Sequence, residues 1–307
     1  MKYFLLITLL SFTALACAVS DADYPLQKVA DGIYFHQGIH EDANAENIGA
    51  IANVGFIIGE QCVAVIDSGG SYREGQLLKQ ALREITELPV CYVINTHVHP
   101  DHILGNAAFT DDDPAFVGHE KLPAALASRE DHFARNFSEN LGDAYTGTKF
   151  IAADTLVSPE QPLSLDLGGR EVILKAYPTA HTDHDLTVLD QQTQTLWTGD
   201  LLFRERIPAL DGSINGWIYT LQQLQSEDYQ AIIPGHGPAA IGENADWDKL
   251  LTYLTTVREE IRTQINDLGT LEQATATVGL SERQNWELFE QYHRRNVTAA
   301  FVELEWE

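Results

Sequence analysis

The sequence predicts an α/β domain followed by a helical C-terminal extension, and three observations support this fold class. Short runs of β-branched and aromatic residues alternate with glycine and polar turn formers over residues 24–241. A helical repeat of apolar residues separates two of these runs and gives a strand, helix, strand unit. Residues 242–307 have helical periodicity instead. No Pro- or Gly-rich linker separates the two segments, so we expect the extension to pack on the same domain.

The first 18 residues predict a secretory signal peptide. Lys2 precedes an apolar stretch, and small residues offer cleavage sites after Ala16 or Ala18. Cys17 follows Leu15 and Ala16 in a partial lipobox, so a signal that ends before Cys17, with a lipid anchor on that cysteine, is the alternative to simple cleavage. We therefore expect secretion across the inner membrane into the periplasm, with or without this anchor.

Four strands and one helix are predicted in the N-terminal half. The strands are GIYFHQG, VGFIIGE, CVAVIDSGG and VCYVINTH. The helix, REGQLLKQALREITEL, lies between the last two strands, so we expect residues 63–66 and 92–94 to lie parallel. Cys62 and Cys91 belong to these runs, where buried thiols are the ordinary expectation. If the two strands are neighbours, an oxidising compartment would permit a disulfide between them.

A second series of elements follows. HEKLPAALASREDHFARNFSENLGD predicts a helix with Pro123 near its start and Gly142 near its end. Four more strands are predicted in REVILKAY, LTVLD, TLWTG and AIIPG. The extension begins with DWDKLLTYLTTVREEIRTQI, which carries Leu250, Leu254 and Val257 on one helical face. The tail, HRRNVTAAFVELEWE, is expected to form a docked helix or strand that closes the domain.

The composition excludes several functions. The chain has 19 Lys plus Arg against 45 Asp plus Glu, a formal charge of −26, so a nucleic-acid backbone or an anionic bilayer would repel it. Neither Cys-x-x-Cys nor Gly-x-Ser-x-Gly occurs, which argues against a thiolate zinc site, a thioredoxin-like redox motif and a serine hydrolase. We expect a small-molecule substrate and no nucleic-acid partner, and the sequence leaves the oligomeric state open.

The stretch NTHVHPDHILGN holds three histidines and one aspartate within six residues. His97 and His99 follow a predicted strand two positions apart, so extended backbone would direct both side chains to the same side. Pro100 ends the strand, and Asp101 and His102 then project in another direction. Imidazole and carboxylate groups at this spacing suit zinc, or another divalent metal such as iron or manganese. The stretch therefore predicts parts of two neighbouring metal positions.

Further metal ligands are expected at the ends of later strands. His181 follows VILKAYPTA, Asp200 follows TLWTG and His236 follows AIIPG. Each is a ligand-type residue beside a turn former, and a site at one edge of a sheet stack would bring the three together. Together with His97, His99, Asp101 and His102, they would complete the ligand sets of the two metal positions.

The motifs THVHPDH, AHTDHD, WTGD and PGHG, in this order, resemble those of metallo-β-lactamase-fold hydrolases over residues 24–241. The resemblance implies a four-layer αββα sandwich with a dinuclear site along one edge of two sheets. It also implies that Asp67 orients a ligand histidine through its other nitrogen. The implied ligands of two Zn²⁺ ions per chain are His97, His99 and His181 at one metal, Asp101, His102 and His236 at the other, and Asp200 bridging both.

A narrower resemblance concerns the subfamily. Many β-lactamases of this superfamily place cysteine or serine where this chain has Asp200, whereas glyoxalase II-like members use a bridging aspartate. GIYFHQG, INTHVHPDHILGNAAF and the tail HRRNVTAAFVELEWE are similar to SoxH-like quinoprotein relay system zinc metallohydrolases. This similarity implies a partner in a periplasmic quinoprotein or sulfur-oxidation system.

Together, these patterns predict a dinuclear zinc hydrolase. A metal-bound hydroxide, hydrogen-bonded to Asp101 as the catalytic residue, would attack the carbonyl group of a thioester, an ester or a lactam-like amide. Three alternatives stay open: β-lactamase-type amide hydrolysis, an iron-dependent oxidoreductase resembling persulfide dioxygenases, and a non-catalytic metal-binding accessory protein. The sequence does not identify the natural substrate.

Other polar side chains near these motifs receive no catalytic role. We expect His36 and His40 to be exposed loop residues and His184 to be an ordinary loop histidine. Arg204 and Arg206 follow Asp200, where arginines more often balance the charge of an acidic site than bind the substrate.

Overall fold

The computed structural model describes residues 24–242 and 245–307. The predicted signal peptide and Cys17 lie outside these residues. Two mixed β-sheets pack face to face, helices cover their outer faces, and the C-terminal segment is helical. The predicted α/β sandwich with C-terminal helices is thereby confirmed. In the described part of the chain, no helix combines the length and the apolar character needed to cross a lipid bilayer.

The first sheet contains seven strands whose spatial order follows the chain. They are β1 (Gln27–Ala30), β2 (Ile33–His36), β3 (Val54–Ile58), β4 (Val63–Ile66), β5 (Val90–Ile94), β6 (Ala115–His119) and β7 (Thr155–Val157). Strands β1 to β4 are antiparallel neighbours, whereas β4 to β7 pair in parallel. Helix α1 (Tyr72–Ile85) connects β4 to β5, and the pairing of residues 63–66 with 90–94 confirms the predicted parallel unit.

The second sheet contains six strands in the order β13-β12-β11-β10-β9-β8. They are β8 (Leu163–Asp166), β9 (Glu171–Ala176), β10 (Leu186–Asp190), β11 (Thr195–Phe203), β12 (Ala231–His236) and β13 (Ala240–Ile241). The pair β11 and β12 is parallel and is connected by helix α4 (Ile214–Gln225). The other neighbours in this sheet are antiparallel.

Apolar side chains form a separate core in each layer of the sandwich. Phe35 and Ile66 of the first sheet pack with Trp197 of the second in the layer between the sheets. Leu78 of α1 covers the outer face of the first sheet, and Trp217 of α4 covers that of the second. The other helices are α2 (Pro100–Ile103), α3 (Leu122–Leu141), α5 (Trp247–Asn266), α6 (Leu271–Thr277) and α7 (Phe289–Leu304).

Several elements differ from the prediction. Strand β11 continues past the predicted TLWTG to Phe203, and every residue from Thr195 to Phe203 is buried. Asp200 therefore lies within the strand and not after it. The tail forms a helix, α7, which is one of the two forms expected for it. His36 is buried and not exposed, since its ring stacks on Tyr24 with centroids 3.9 Å apart. The sequence patterns did not predict β1, β6, β7, β8, β13, α2 and α4.

A disulfide joins Cys62 to Cys91, whose Cα atoms are 5.8 Å apart. Cys62 immediately precedes β4 and Cys91 lies in β5, and these strands are the parallel neighbours on either side of the α1 crossover. The condition set by the sequence, that the two strands be neighbours, is therefore met. The disulfide therefore joins the two strands of the β4–α1–β5 unit covalently.

Candidate metal centre

The metal-ligand motif lies at the turn from β5 into α2. His97 lies in a bend after the strand, and His99 is the extended N-cap residue of α2. Pro100 is accommodated at the start of the helix, where its missing N–H costs no hydrogen bond. Asp101 and His102 belong to the first turn of α2, and the His102 ring lies beside that of His97 with centroids 4.2 Å apart. One short segment thus supplies groups to two adjacent positions.

The first group of candidate ligands comprises His97, His99, His181 and Asp200, whose ligand atoms all lie within 4.8 Å of one another. His99 Nδ1 is 3.0 Å from His97 Nε2 and 3.1 Å from His181 Nε2. Asp200 Oδ2 is 3.6 Å from His97 Nε2 and 3.4 Å from His181 Nε2. His181 reaches the group from the loop between β9 and β10.

The second group comprises Asp101, His102 and His236. His236 Nε2 is 3.4 Å from Asp101 Oδ2, and His102 Nε2 is 3.8 Å from the same oxygen. Asp200 also reaches this group, with Oδ1 3.1 Å from His102 Nε2 and Oδ2 3.4 Å from His236 Nε2. The carboxylate of Asp200 therefore lies between the two groups and contacts both.

Each of the five histidines is held by a hydrogen bond from its other ring nitrogen. The bonds run from His97 Nδ1 to Thr96 Oγ1, His99 Nε2 to Asp211, His102 Nδ1 to Asp67, His181 Nδ1 to the Ala209 carbonyl oxygen, and His236 Nδ1 to the Ile51 carbonyl oxygen, at 2.7–3.1 Å. These acceptors place a proton on the outer nitrogen, which directs the inner nitrogen of each ring towards the other candidate ligands. Five ring nitrogens therefore converge on the space beside Asp200.

Asp67 has the orienting contact that the sequence resemblance implies. Its Oδ2 accepts hydrogen bonds from His102 Nδ1 and from the hydroxyl of Thr96, each 2.8 Å long. The Thr96 hydroxyl in turn accepts from His97 Nδ1. One buried carboxylate thus fixes a histidine in each of the two groups.

Burial and neighbouring charges shift the pKa values of these histidines in opposite directions. Burial lowers the pKa of His97 well below its ordinary value and lowers the pKa of His181 to about 3, so both imidazoles are neutral at pH 7. Burial also opposes a charge on His102, but the carboxylates of Asp200 and Asp67 outweigh it and raise the pKa of His102 well above the ordinary value. A cation at the second group would therefore compete with a proton on His102.

The arrangement fits a divalent metal. His102 Nε2 and Asp200 Oδ1 are buried and lie 3.1 Å apart, but neither atom has a hydrogen bond of acceptable geometry. Buried polar atoms are rarely left without a partner, because desolvation costs free energy that only a hydrogen bond or a metal recovers. Imidazole nitrogen and carboxylate oxygen are the ligands that zinc, iron and manganese accept. The seven residues that the sequence singled out are brought together in this structure, and their role as ligands remains a prediction.

A cavity of about 590 Å³ opens over the two groups. His99, Asp101, Asp200 and His236 reach its floor. Its walls come from the loop between β2 and β3, from α3, from the loop after β11 and from α7, with the side chains of Ile51, Arg129, Phe133, Phe137, Arg206, Asp211, Tyr292 and Arg295 among them. A small molecule could therefore reach the candidate metal centre from solvent.

Sequence reasoning missed the groups that hold His99 and His181. Asp211 and Ala209 lie in the irregular segment after β11, which has no periodicity that would mark them. His184 is in a loop as expected, but it is fully buried, and burial lowers its pKa to about 4. His40 is partly covered and lies 3.0 Å from Glu287, so it is not a freely exposed residue.

Comparison with known proteins agrees with the fold. A family model described as the metallo-beta-lactamase superfamily matches residues 48–236, a range that contains every candidate ligand. No curated protein sequence matches the chain.

Solved structures with this fold include enzymes of different reaction types. The DIM-1 metallo-beta-lactamase exposed to ceftazidime is 16% identical with a TM-score of 0.58, and the match covers 76% of this chain and 96% of that one. A metallo-beta-lactamase from Pontibacter korlensis is 18% identical with a TM-score of 0.56, covering 75% and 98%. The inverting sec-alkylsulfatase Pisa1 from Pseudomonas sp. is 14% identical with a TM-score of 0.63, covering 82% of this chain but 45% of that one. At such identities the likeness concerns the fold alone.

Proposed function

The chain belongs to the metallo-beta-lactamase superfamily, and from this premise we propose that it is a dinuclear zinc hydrolase acting on a small thioester, ester or lactam-like amide. The observation that carries the proposal is the position of Asp200 between two groups of inward-facing ligands. A single metal would leave one of these groups, with its buried nitrogens, without a partner. Two metals that share one carboxylate would engage both groups.

The proposed chemistry is hydrolysis at a carbonyl carbon. Two Zn²⁺ ions held by these residues would supply a water of lowered pKa and a Lewis acid for the carbonyl oxygen. The water oxygen forms a bond to the carbonyl carbon, the bond to sulfur, oxygen or nitrogen breaks, and the leaving group takes up a proton. No serine or cysteine nucleophile is required.

Asp101 is the proposed catalytic residue of this chain. It reaches the cavity floor, and its Oδ2 lies 3.4 Å from His236 Nε2. Although burial alone would raise its pKa, His102 and His236 lower it below the ordinary value, so the carboxylate is ionised at neutral pH. An ionised Asp101 can accept a hydrogen bond from the attacking water and return a proton to the leaving group.

The aspartate at position 200 supports a glyoxalase II-type ligand set within the superfamily, as the sequence resemblance implies. Cysteine or serine at this position would instead favour the β-lactamase pattern. An iron-dependent oxidoreductase with a single metal is disfavoured, because His102 and His236 together with Asp101 form a complete second group. Iron or manganese in place of zinc remains compatible with the same ligands.

We further propose that the protein works in the periplasm beside a quinoprotein or sulfur-oxidation system. The predicted signal peptide supports export, and the disulfide between Cys62 and Cys91 is of the kind that persists in oxidising compartments. The quinoprotein partner is supported only by the SoxH-like sequence motifs. Whether Cys17 carries a lipid anchor is a separate question that mass spectrometry of the mature N-terminus would answer.

Metal stoichiometry on the purified protein tests the proposal. We expect two zinc ions per chain in the wild type, fewer than two in His97→Ala, and fewer than one in Asp200→Ala because that carboxylate serves both positions. His132→Ala is the matched control, since His132 is an exposed histidine at the cavity that belongs to neither group. Two ions retained in both ligand variants would contradict the assignment.

Hydrolysis assays on the zinc-loaded protein then separate the candidate functions. The panel consists of S-lactoylglutathione, a 4-nitrophenyl ester and a chromogenic cephalosporin. Turnover of the thioester or the ester by the wild type that Asp200→Ala abolishes would support the proposal. One iron per chain would favour the oxidoreductase, and a two-zinc protein inert on the whole panel would favour a non-catalytic role.

A further inference from the structure

We propose that the cavity selects substrates that carry a free carboxylate away from the scissile bond, and that Arg129 and Arg295 bind this carboxylate. The inference rests on the proposed hydrolase function and narrows its substrate class to half-esters, half-thioesters or half-amides of short dicarboxylic acids. Hydrolysis would consume one water and release the dicarboxylic acid with the alcohol, thiol or amine. The bound carboxylate itself would not react.

The charges in the cavity wall differ from those of the whole chain. The protein has a formal charge of −26, yet three of its 12 arginines line this one cavity. Four aspartates also line it, of which Asp101 and Asp200 belong to the candidate metal centre. With these two engaged by divalent cations, the wall would be a cationic surface in an otherwise anionic molecule. Such a surface attracts anionic ligands.

Arg129 of α3 and Arg295 of α7 both line the cavity and lie near the same carboxylate, that of Asp211. Arg129 Nη2 is 3.7 Å from Asp211 Oδ2, and Arg295 Nη2 is 3.8 Å from Asp211 Oδ1. Both distances exceed that of a hydrogen bond, and Asp211 also accepts from His99 Nε2. One carboxylate therefore faces two guanidinium groups and a histidine, which leaves N–H donors of both arginines for a second carboxylate.

Arg206 has a different role from these two arginines. Its Nη2 donates to the hydroxyl of Tyr292 at 3.0 Å, and Tyr292 donates in turn to Asp42 at 2.6 Å. Its guanidinium also lies over the Tyr292 ring, 5.2 Å from the centroid. Arg206 is thus engaged in holding α7 over the cavity, and Arg129 and Arg295 are the ones positioned to meet a ligand.

Apolar side chains line the same cavity as the candidate ligands and the two arginines. Phe133 and Phe137 follow Arg129 along α3 at intervals of four residues and line the same wall. A ligand with a short hydrocarbon segment would contact these rings while its reactive carbonyl lies over Asp101 and Asp200. A carboxylate at the far end of that segment would lie at the arginines.

A pair of esters that differ mainly in charge tests the inference. The substrates are 4-nitrophenyl hemiglutarate, which carries a carboxylate, and 4-nitrophenyl valerate, which is neutral and of similar length. We expect kcat/KM of the zinc-loaded wild type to be at least about tenfold higher for the anionic ester. The ratio should fall about threefold or more in Arg129→Gln and in Arg295→Gln, and approach one in the double variant.

The controls are Arg135→Gln on α3 and Arg294→Gln on α7, which remove exposed arginines that do not line the cavity. Arg129 and Arg295 have exposed side-chain fractions of 33% and 65%, so we expect their variants to fold. Calorimetric binding of glutarate and of neutral glutaramide to the zinc-loaded proteins gives a readout independent of turnover. Zinc content is measured on each variant, since Asp211 contacts both these arginines and His99.

Each outcome bears on one proposal or both. Turnover of both esters at equal rates would overturn the carboxylate inference and leave the hydrolase in place. No turnover, with glutarate binding that only the Arg129 and Arg295 variants weaken, would overturn the hydrolase and support the anion site. Absence of both turnover and selective glutarate binding would overturn the two together.

Discussion

Glu74 is a fully buried carboxyl group in the first turn of α1, near the charges of Asp101 and His102. Its Oε1 accepts a hydrogen bond from the Tyr24 hydroxyl at 2.8 Å, and its Oε2 accepts from the N–H of Gly70 at 2.6 Å. Burial raises the pKa of Glu74 from 4.5 to about 8, against the opposing effect of these hydrogen bonds. The group is therefore protonated in the folded protein at pH 7 and ionised in the unfolded chain.

This shift makes Glu74 a source of pH-dependent stability. Between pH 4.5 and about 8 the folded state binds one more proton at this group than the unfolded state does, so its contribution to the free energy of unfolding decreases as pH rises. Because glutamine does not titrate, we expect the free energy of unfolding of Glu74→Gln, relative to that of the wild type, to rise by about 2–3 kcal/mol from pH 5.5 to pH 7.5. This corresponds to about 1.4 kcal/mol per pH unit. Urea unfolding at both pH values measures this difference.

Glu84→Gln is the matched control, since it changes the same residue type on the partly exposed side of α1. Its stability should follow that of the wild type at both pH values. If the free energy of unfolding changed equally with pH in Glu74→Gln and in the wild type, Glu74 would be ionised in the folded protein.

The candidate ligands could be predicted because each lies beside an apolar strand that marks its place. His97 and His236 follow or end such runs, Asp200 follows the apolar TLWTG within β11, and these positions of the two packed sheets are neighbours in space. Asp211 could not be predicted, because it contacts His99 across 112 residues from a segment without periodicity. Arg129 lies on an amphipathic helix, where its sequence position does not indicate which face borders a cavity.

At the scale of elements, α7 supports the loop that orients His181. Asn296 of α7 donates to the Pro208 carbonyl oxygen at 2.7 Å and to the Tyr253 hydroxyl at 2.9 Å, and it accepts from the N–H of Leu210 at 2.9 Å. The carbonyl of Ala209, between these two loop residues, accepts from His181 Nδ1. The C-terminal helix therefore supports a candidate ligand, His181, through one backbone segment.

We expect Asn296→Ala to lower the free energy of unfolding by about 3 kcal/mol, because it leaves a buried N–H and a buried carbonyl group without partners. It should also weaken zinc binding about tenfold, since His181 loses part of its support. Urea unfolding and zinc competition with a chelator measure the two effects. Thr298→Ala, which removes only a bond to its own helix at Arg294, should change neither. Unchanged zinc affinity in Asn296→Ala would refute the coupling.

The long, periodic elements were predictable and the short ones were not. Helix α5 has six buried residues at helical spacing, and β3, β4 and β5 are bounded apolar runs. Strands β1, β7, β8 and β13 have two to four residues each, and sheet pairing stabilises them more than their own composition does. Helix α4 contains Gly216 and several β-branched or aromatic residues, which weakens its local helical signal.

For the whole molecule, the disulfide between Cys62 and Cys91 closes one loop of the chain covalently. Cys62 and Cys91 are separated by 29 residues, so closing this loop should stabilise the folded state by about 3–4 kcal/mol through the unfolded chain. We expect the double variant Cys62→Ala, Cys91→Ala to lose about this amount in urea unfolding. A reducing agent should destabilise the wild type similarly and leave the double variant unchanged. Insensitivity of the wild type to reduction would argue against the bond.

The cavity wall joins α3 to α7, and Arg295 of α7 follows all seven candidate ligands in the chain. During synthesis, the candidate ligands therefore emerge well before the helix that completes the wall above them. The ligand groups could be assembled before the substrate chamber is closed, and loss of α7 would leave the candidate metal centre open to bulk water.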